Sequence, residues 1–381
     1  RQAPRLFWLG MKAALQGLGF RSSDHDPCLF VRTEADGTHT YVATHVDDCA
    51  VVSASVETNR GVRDGLLLKY KGVKWEDQAE TFVGLAFKRV KNGDLLVHQP
   101  AYTQHVCDIL QVVADGITLT PSGGASLSKG VEGEEVDMDL VPWLRLAVGM
   151  VQYLTFTRME IALALNLVAK NMHRPCKKVK AAMEQIVRYL ANRPDDGLLF
   201  TAGGEVEMQC WCDASWQSEP GNGSRTGYAI CVGSGAAMVV SYTKVQSYAT
   251  LSSQHAEIVA LTEAVRGVRH VRMLLEDMGI PQLAPTPVWE DNVGAIAFAN
   301  GTSPLEKTKH VSNRDRYCRD AVREGVVAPE KIGTLVNPVN GLTKEVSRDD
   351  QERTRKFLQQ GRLFVPKATA YMARMIRVGG P

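Results

Sequence analysis

Between Ser252 or Ser253 and about Met278 the chain carries an apolar stripe too long and too regular for anything but a helix. Ala256, Ala260, Ala264, Val268, Val271 and Leu275 recur at spacings of three and four residues. Ser252 and Ser253 are suitable N-caps, and Gly279 is a suitable C-cap. What precedes the helix reads as a meander: a strand at 205–213, a Gly-Asn-Gly loop at 221–223, a strand at 226–232, a Gly-Ser-Gly turn at 233–235 and a strand at 237–243. A strand at 286–290 and a helix at 291–300 follow. Three strands, a helix, a strand and a helix make an α/β unit.

Three acidic signatures fall on that unit: Cys-Asp-Ala-Ser at 212–215, Ser-Ser-Gln-His-Ala-Glu at 252–257 and Glu-Asp-Asn at 290–292. Asp213 ends a strand, Glu257 lies in the long helix, and Asp291 follows another strand. Carboxylates supplied by different elements can converge on a pair of divalent metals, the arrangement with which phosphodiester bonds are commonly cut. Each acid taken alone reads as a solvated surface carboxylate, and it is their placement together that points to a site. Asn292 reads as a helix cap, and Glu263 as an exposed helix residue.

Upstream, residues 5–20 read as a helix carrying Leu6, Leu9, Ala13, Leu15 and Leu18. Two β-rich runs, 28–31 and 40–46, flank a turn at Asp36-Gly37. Asp47-Asp48 then stand between apolar strands, as a polar turn or as a charge pair with a task. A helix at 57–70 presents Val62, Leu66 and Leu67 on one face. Strands at 80–90 and 94–98 are joined at Asn92-Gly93, a favoured two-residue hairpin turn. A helix covers 101–114, and the Gly-, Ser- and acid-rich stretch 118–139 reads as a linker. From Val141 to Asn192 everything is helical, in three stripes: Leu144, Val148, Val151, Leu154; Ile161, Leu165, Val168; and Val179, Met183, Ile186, Leu190.

With 381 residues, 44% of them hydrophobic, the chain has material for two or three domains with real cores. No apolar run is long enough for a transmembrane helix, so no membrane partner is expected. The opening Arg-Gln-Ala-Pro-Arg has neither an initiating Met nor signal-peptide order, and we expect an internal fragment or a truncated gene model. Eight cysteines occur without a Cys-x-x-Cys pair, and Cys210 and Cys212 are too far apart along a strand for comfortable bridging. Reduced, buried thiols of an intracellular protein are expected. The net charge of +2 says little. From Gln351 onward, however, Arg353, Arg355, Lys356, Arg362, Lys367, Arg374 and Arg377 face a single acid, Glu352, and such a tail either touches phosphates or is simply solvated.

An ordered series of short motifs resembles the reverse transcriptase–ribonuclease H part of copia-type retrotransposon polyproteins, over roughly residues 1–345. Gln2-Ala3-Pro4-Arg5, Asp26-Pro27-Cys28-Leu29-Phe30 and His45-Val46-Asp47-Asp48 resemble the polymerase palm. Phe82-Val83-Gly84-Leu85 is similar to the family's Phe-Leu-Gly-Ile strand. Val148-Gly149-Met150-Val151-Gln152-Tyr153-Leu154 and Thr157-Arg158-Met159-Glu160-Ile161 resemble two of its helices, and Thr308-Lys309-His310-Val311 and Leu342-Thr343-Lys344 its later landmarks. The resemblance implies an α/β (α+β) chain with a partial reverse-transcriptase palm at 1–120, a linker and helical thumb or connection at 121–200, a ribonuclease H-like domain at 205–345 and a basic C-terminal tail at 346–381. Asp213, Glu257 and Asp291 then correspond to the first-strand, helix and strand-end acids. They would hold two Mg2+ ions, with Mn2+ as a substitute, for hydrolysis of the RNA strand of an RNA–DNA hybrid. Lys309 and Arg314 are implied phosphate contacts, while His310 reads as a structural histidine. The implied setting is the cytoplasm, in a virus-like particle, or the nucleus.

The departures are as informative. Where the family carries a fourth acid before its final Thr-Lys stands Asn340, whose amide ligates weakly and brings no charge. Weakened metal binding is expected, with Asn340→Asp lowering the magnesium requirement. Asp47 and Asp48 would be a partial polymerase metal site, since the family's other palm acid lies upstream of Gln2, and His45 stands where the family has Tyr, at the primer end. No polymerase activity is expected from this chain alone. An incomplete palm leaves a sheet edge that an N-terminal polymerase part or a second copy of the chain would cover. Met159-Glu160 for Pro-Asp, Gln254-His255 for Thr-Glu and Ile258 for Tyr fit an old element copy. Two alternatives stay open: a non-catalytic nucleic-acid-binding relic, and a related nuclease acting on duplex DNA. Convergence of the three carboxylates is the first discriminator.

Overall fold

The computed structural model describes residues 3–72, 74–90, 93–122, 127, 130–203, 205–219, 221–233, 235–303 and 314–361. Two compact units emerge, one comprising residues 1–88 and 269–283, the other residues 89–268 and 284–381.

The first unit opens with helix α1 (Ala3–Gly17), followed by strands β1 (Arg21–Ser22), β2 (Leu29–Thr33), β3 (His39–His45) and β4 (Asp48–Val52) in one antiparallel sheet of order β1-β2-β3-β4. Helix α2 (Val56–Lys69) begins at Ser55, whose hydroxyl accepts the Thr58 amide. Met11, Ala14 and Leu15 of α1, Phe30 and Val42 of the sheet, and Val62 and Leu66 of α2 form the core. The α1 stripe read from the sequence holds at Leu15, which is buried, and at Leu18, which packs against the core, but not at its other positions. Leu6 and Leu9 are exposed, and Met11 and Ala14 take the buried positions one turn on. Leu67 is likewise exposed while Val62 and Leu66 are buried. The single strand expected at 80–90 is two, β5 (Thr81–Phe82) and β6 (Leu85–Arg89), because Val83 and Gly84 both take positive φ and close a hairpin with Phe82 opposite Leu85. The turn expected at Asn92-Gly93 lies partly outside the described residues.

In the second unit, strand β7 (Leu95–His98) leads into helices α3 (Pro100–Leu110), α4 (Val141–Leu154), α5 (Ala162–Asn171) and α6 (Lys177–Ala191). The three apolar stripes read from the sequence meet here. Leu144, Val151, Leu154, Ile161, Leu165, Val168, Val179, Met183, Ile186 and Leu190 belong to one core, with Val148 packed against it. Strand β8 (Gly197–Phe200), which the sequence reading passed over, pairs antiparallel with β7.

The mixed sheet with flanking helices expected of a ribonuclease H-like domain follows. Strands β9 (Met208–Glu219), β10 (Gly223–Val232) and β11 (Met238–Val245) form an antiparallel meander. Helix α7 (Ser253–Asp277) is capped by the Ser252 hydroxyl, which accepts the His255 amide, and it ends at Gly279, where φ is +78° and the Ile280 amide reaches back to Leu275. Strand β12 (Thr286–Glu290), helices α8 (Val293–Ala299) and α9 (Tyr317–Arg323), strand β13 (Val327–Lys331) and helix α10 (Arg348–Gln360) complete the unit. The sheet order is β11-β10-β9-β12-β13, with β12 parallel to both β9 and β13.

Two differences from expectation matter. Strand β9 begins three residues late and runs on to Glu219, because Arg225 of β10 reaches Glu219 across the hairpin with Nε to Oε1 at 2.6 Å. The start of the expected basic tail is α10, a packed helix. Phe357 and Leu358 are buried, Arg355 bridges Glu352 and Asp196, Arg353 pairs with Asp350, and Lys356 pairs with Glu352. Each of these three cations thus already has an acidic partner within the fold. Arg362, Lys367, Arg374 and Arg377 lie outside the described residues. All eight cysteines are free, and no described helix is long and apolar enough to cross a membrane.

Candidate functional site

The site forms where the parallel part of the sheet ends. Strands β9 and β12 align Cys210 with Val288 and Trp211 with Trp289. Continuing that register by two residues sets Asp291 level with Asp213. Carboxyl ends of parallel strands are where open α/β sheets gather ligand groups. Helix α7 supplies the third acid. Ala214 of β9 packs on Ala256 and Ala260 of the helix, and side chains this small let helix and strand approach closely. Glu257, next to Ala256, then reaches the backbone N–H of Ala214. The result is that one carboxylate oxygen each from Asp213, Glu257 and Asp291 lies within 4.8 Å of the others.

Asp213 and Glu257 are buried, and Asp291 is half-buried. Burial raises the Asp213 carboxyl to about 6, against the opposing pull of Lys344 and Thr343. Glu257 is driven up to about 11 by burial, and by Glu290, Asp213 and Asp291 nearby. Its Oε2 is buried without a hydrogen-bond partner. Such an array carries more negative charge than the neighbouring Lys344 ammonium offsets. A donor set of three hard oxygen ligands with one buried oxygen left over fits a divalent cation.

Asn340 sits on a short 3-10 turn, Asn340–Leu342. Its Nδ2 donates to Thr334 O at 2.8 Å, and its Oδ1 is buried without a partner. The same turn presents two residues that the sequence reading treated only as family landmarks. Thr343 donates its hydroxyl to Asp213 Oδ2, and Lys344 Nζ lies 3.7 Å from that oxygen. Gly227 explains how the turn comes so near, because a Cβ there would meet Thr343 Cγ2 at 2.6 Å.

Glu290 went unnoticed. It is fully buried, accepting the Asn292 amide at 2.9 Å and the Cys212 thiol at 3.1 Å. Burial pushes its carboxyl up to about 8. The signal was present in the strand's alternation, since Glu290 is in phase with buried Thr286 and Val288 while Asp291 is out of phase. Asn292 caps α8 by accepting the Ala295 amide.

The other candidates are not members of the triad. Asp47, Asp48 and His45 are exposed around the β3–β4 turn, with Val46 at φ +52°. Among the described residues no third metal-ligating side chain gathers with them. Arg314 is exposed and pairs with Glu263 at 2.9 Å, so Glu263 is half-buried and engaged instead of free on the helix surface. Lys309 and His310 lie outside the described residues.

No family model matches the chain. The retrovirus-related Pol polyprotein from transposon RE1 of Arabidopsis thaliana is 27% identical over 356 residues, covering 91% of this chain and 23% of the relative. That from transposon TNT 1-94 of Nicotiana tabacum is 26% identical over 373 residues, covering 94% and 27%. The chain thus spans about a quarter of the length of these relatives. Among solved structures, ribonuclease H1 of Halobacterium salinarum is matched over 36% of this chain and 94% of its own, at 14% identity and a TM-score of 0.26.

Proposed function

We propose that this chain, which belongs to the family of Pol polyproteins from copia-type retrotransposons, hydrolyses the RNA strand of RNA–DNA hybrids at the Asp213–Glu257–Asp291 site. The observation that carries the reading is the meeting of three carboxylates from β9, α7 and the end of β12 within 4.8 Å. A Mg2+ or Mn2+ ion bound there would lower the pKa of a water and stabilise the departing oxygen.

The residues around it have separable tasks. Thr343 and Lys344 fix the Asp213 carboxylate and hold it ionisable despite burial. The Ala214 amide orients Glu257. Glu290, with both oxygens engaged, braces the turn that carries Asp291. Lys344 is half-exposed and so also available to a phosphate. Choice of the RNA strand would rest on contacts to its 2′-hydroxyls.

Incubation of the purified chain with a labelled RNA–DNA hybrid in Mg2+ or Mn2+ tests the reading. Cleavage confined to the RNA and absent from Asp213→Asn is expected. The neutral Asn340 favours a second reading, a module that binds hybrid without cutting it. Tight binding with no cleavage in either metal would decide for that reading.

We further propose that the chain alone does not polymerise. Asp47 and Asp48 are exposed and lack a third ligand among the described residues, and two adjacent carboxylates do not make a two-metal site. Template-directed nucleotide incorporation by the purified chain would refute this.

A further inference from the structure

We infer that the carboxylate triad holds one divalent cation and not a pair, with the Lys344 ammonium standing electrostatically where a second would be needed; the inference rests on the hydrolytic reading above. Two cations about 4 Å apart need a bridging carboxylate with both oxygens free, and enough negative charge to offset their repulsion.

Asp213 is poorly placed as that bridge. Its Oδ2 accepts the Thr343 hydroxyl and lies 3.7 Å from Lys344 Nζ, so a cation at that oxygen would have to compete with a donor and an ammonium, whereas Oδ1 carries neither. Glu290 adds no ligand, since Asn292 and Cys212 occupy its two oxygens. Asn340 adds no charge, and its Nδ2 is committed to Thr334 O. Glu257, only 8% exposed, keeps Oε2 buried and unpartnered, an acceptor that one cation would satisfy.

The charges agree. One divalent cation together with the Lys344 ammonium neutralises three carboxylates, whereas a second ion would leave surplus positive charge in a largely buried site. The turn that carries Lys344 is also held in place. The amides of Thr343 and Lys344 both bond Asn340 O at 3.1 Å, and Thr354 of α10 ties Pro338 O to the helix at 3.0 Å.

The test is to count Mn2+ bound to the full metal-free chain by equilibrium dialysis with metal analysis, and to record its electron paramagnetic resonance spectrum, beside a hybrid-cleavage assay on the same preparation. One Mn2+ per chain without spin–spin coupling is expected, with loss of that ion in Asp213→Asn. A second Mn2+ should appear in the Asn340→Asp/Lys344→Gln double variant. Two coupled Mn2+ ions in the unmodified chain would overturn the inference and leave the hydrolytic reading standing. No bound Mn2+ and no cleavage would overturn both. A folded double variant that still holds a single ion would remove Lys344 from the assignment. Should the double variant not fold, the count in the unmodified chain still decides.

Discussion

Phe357 stands edge-on to Trp211, with ring centroids 4.7 Å apart and planes at 80°, and this contact fastens helix α10 to the strand that carries Asp213. Truncating a buried aromatic removes its transfer free energy and leaves a cavity. Phe357→Ala should therefore destabilise the second unit by about 3–5 kcal/mol, read as a lower urea midpoint. A loss well under about 1 kcal/mol would show that α10 is not integral to the fold.

Arg225 is fully buried against Glu219, which also receives Lys170 Nζ at 2.7 Å. Removing one partner of such a pair strands the other charge. Glu219→Gln should cost about 3–5 kcal/mol. The Glu219→Leu/Arg225→Met pair should cost less than either single change, because no buried charge remains. A double-mutant cycle measures both, and strict additivity would contradict the account.

The acidic site makes stability depend on pH in an uncommon direction. Asp213, at about 6, and Glu290, at about 8, are raised above their ordinary values by burial. Between those ordinary values and the raised ones the folded chain binds more protons than the unfolded chain, so stability falls as pH rises. Thermal melts of the metal-free chain should decline from about pH 5 to 8, and Glu290→Gln should flatten the upper part of that decline. A rising melting temperature over this window would exclude the mechanism.

Val46 holds φ +52° while exposed in the β3–β4 turn. A β-branched residue is costly in that region, and glycine is not. Val46→Gly should stabilise the first unit by about 1 kcal/mol, detectable as slower proteolysis in β3 and β4. Faster cleavage would mean that the Val46 side chain has a packing role.

What the sequence made legible were the elements whose signal is local. The α7 stripe and the α4–α6 stripes announced their buried faces through spacing alone. Strand β13 did not, because Val-Ala-Pro-Glu-Lys carries a proline and two charges. It is viable only as an edge strand whose single neighbour is β12. Strand β8 depends on pairing with β7, about a hundred residues away. Helix α10 hides behind its charges, with Gln351, Thr354, Phe357 and Leu358 its main buried anchors. At the site, each acid could be singled out by motif. Burial of Glu290 and the reach of Thr343 and Lys344 to Asp213 follow from register and turn geometry, which one-dimensional pattern expresses faintly.

The Thr343 hydroxyl meets a carboxylate 130 residues earlier in the chain. During synthesis Asp213, Glu257 and Asp291 leave the ribosome in turn, yet the groups that clasp the first of them emerge only after all three. A nascent polypeptide short of Lys344 carries its acids unclasped. Completion of the clasped arrangement therefore waits on a late, long-range closure that follows the synthesis of all three acids.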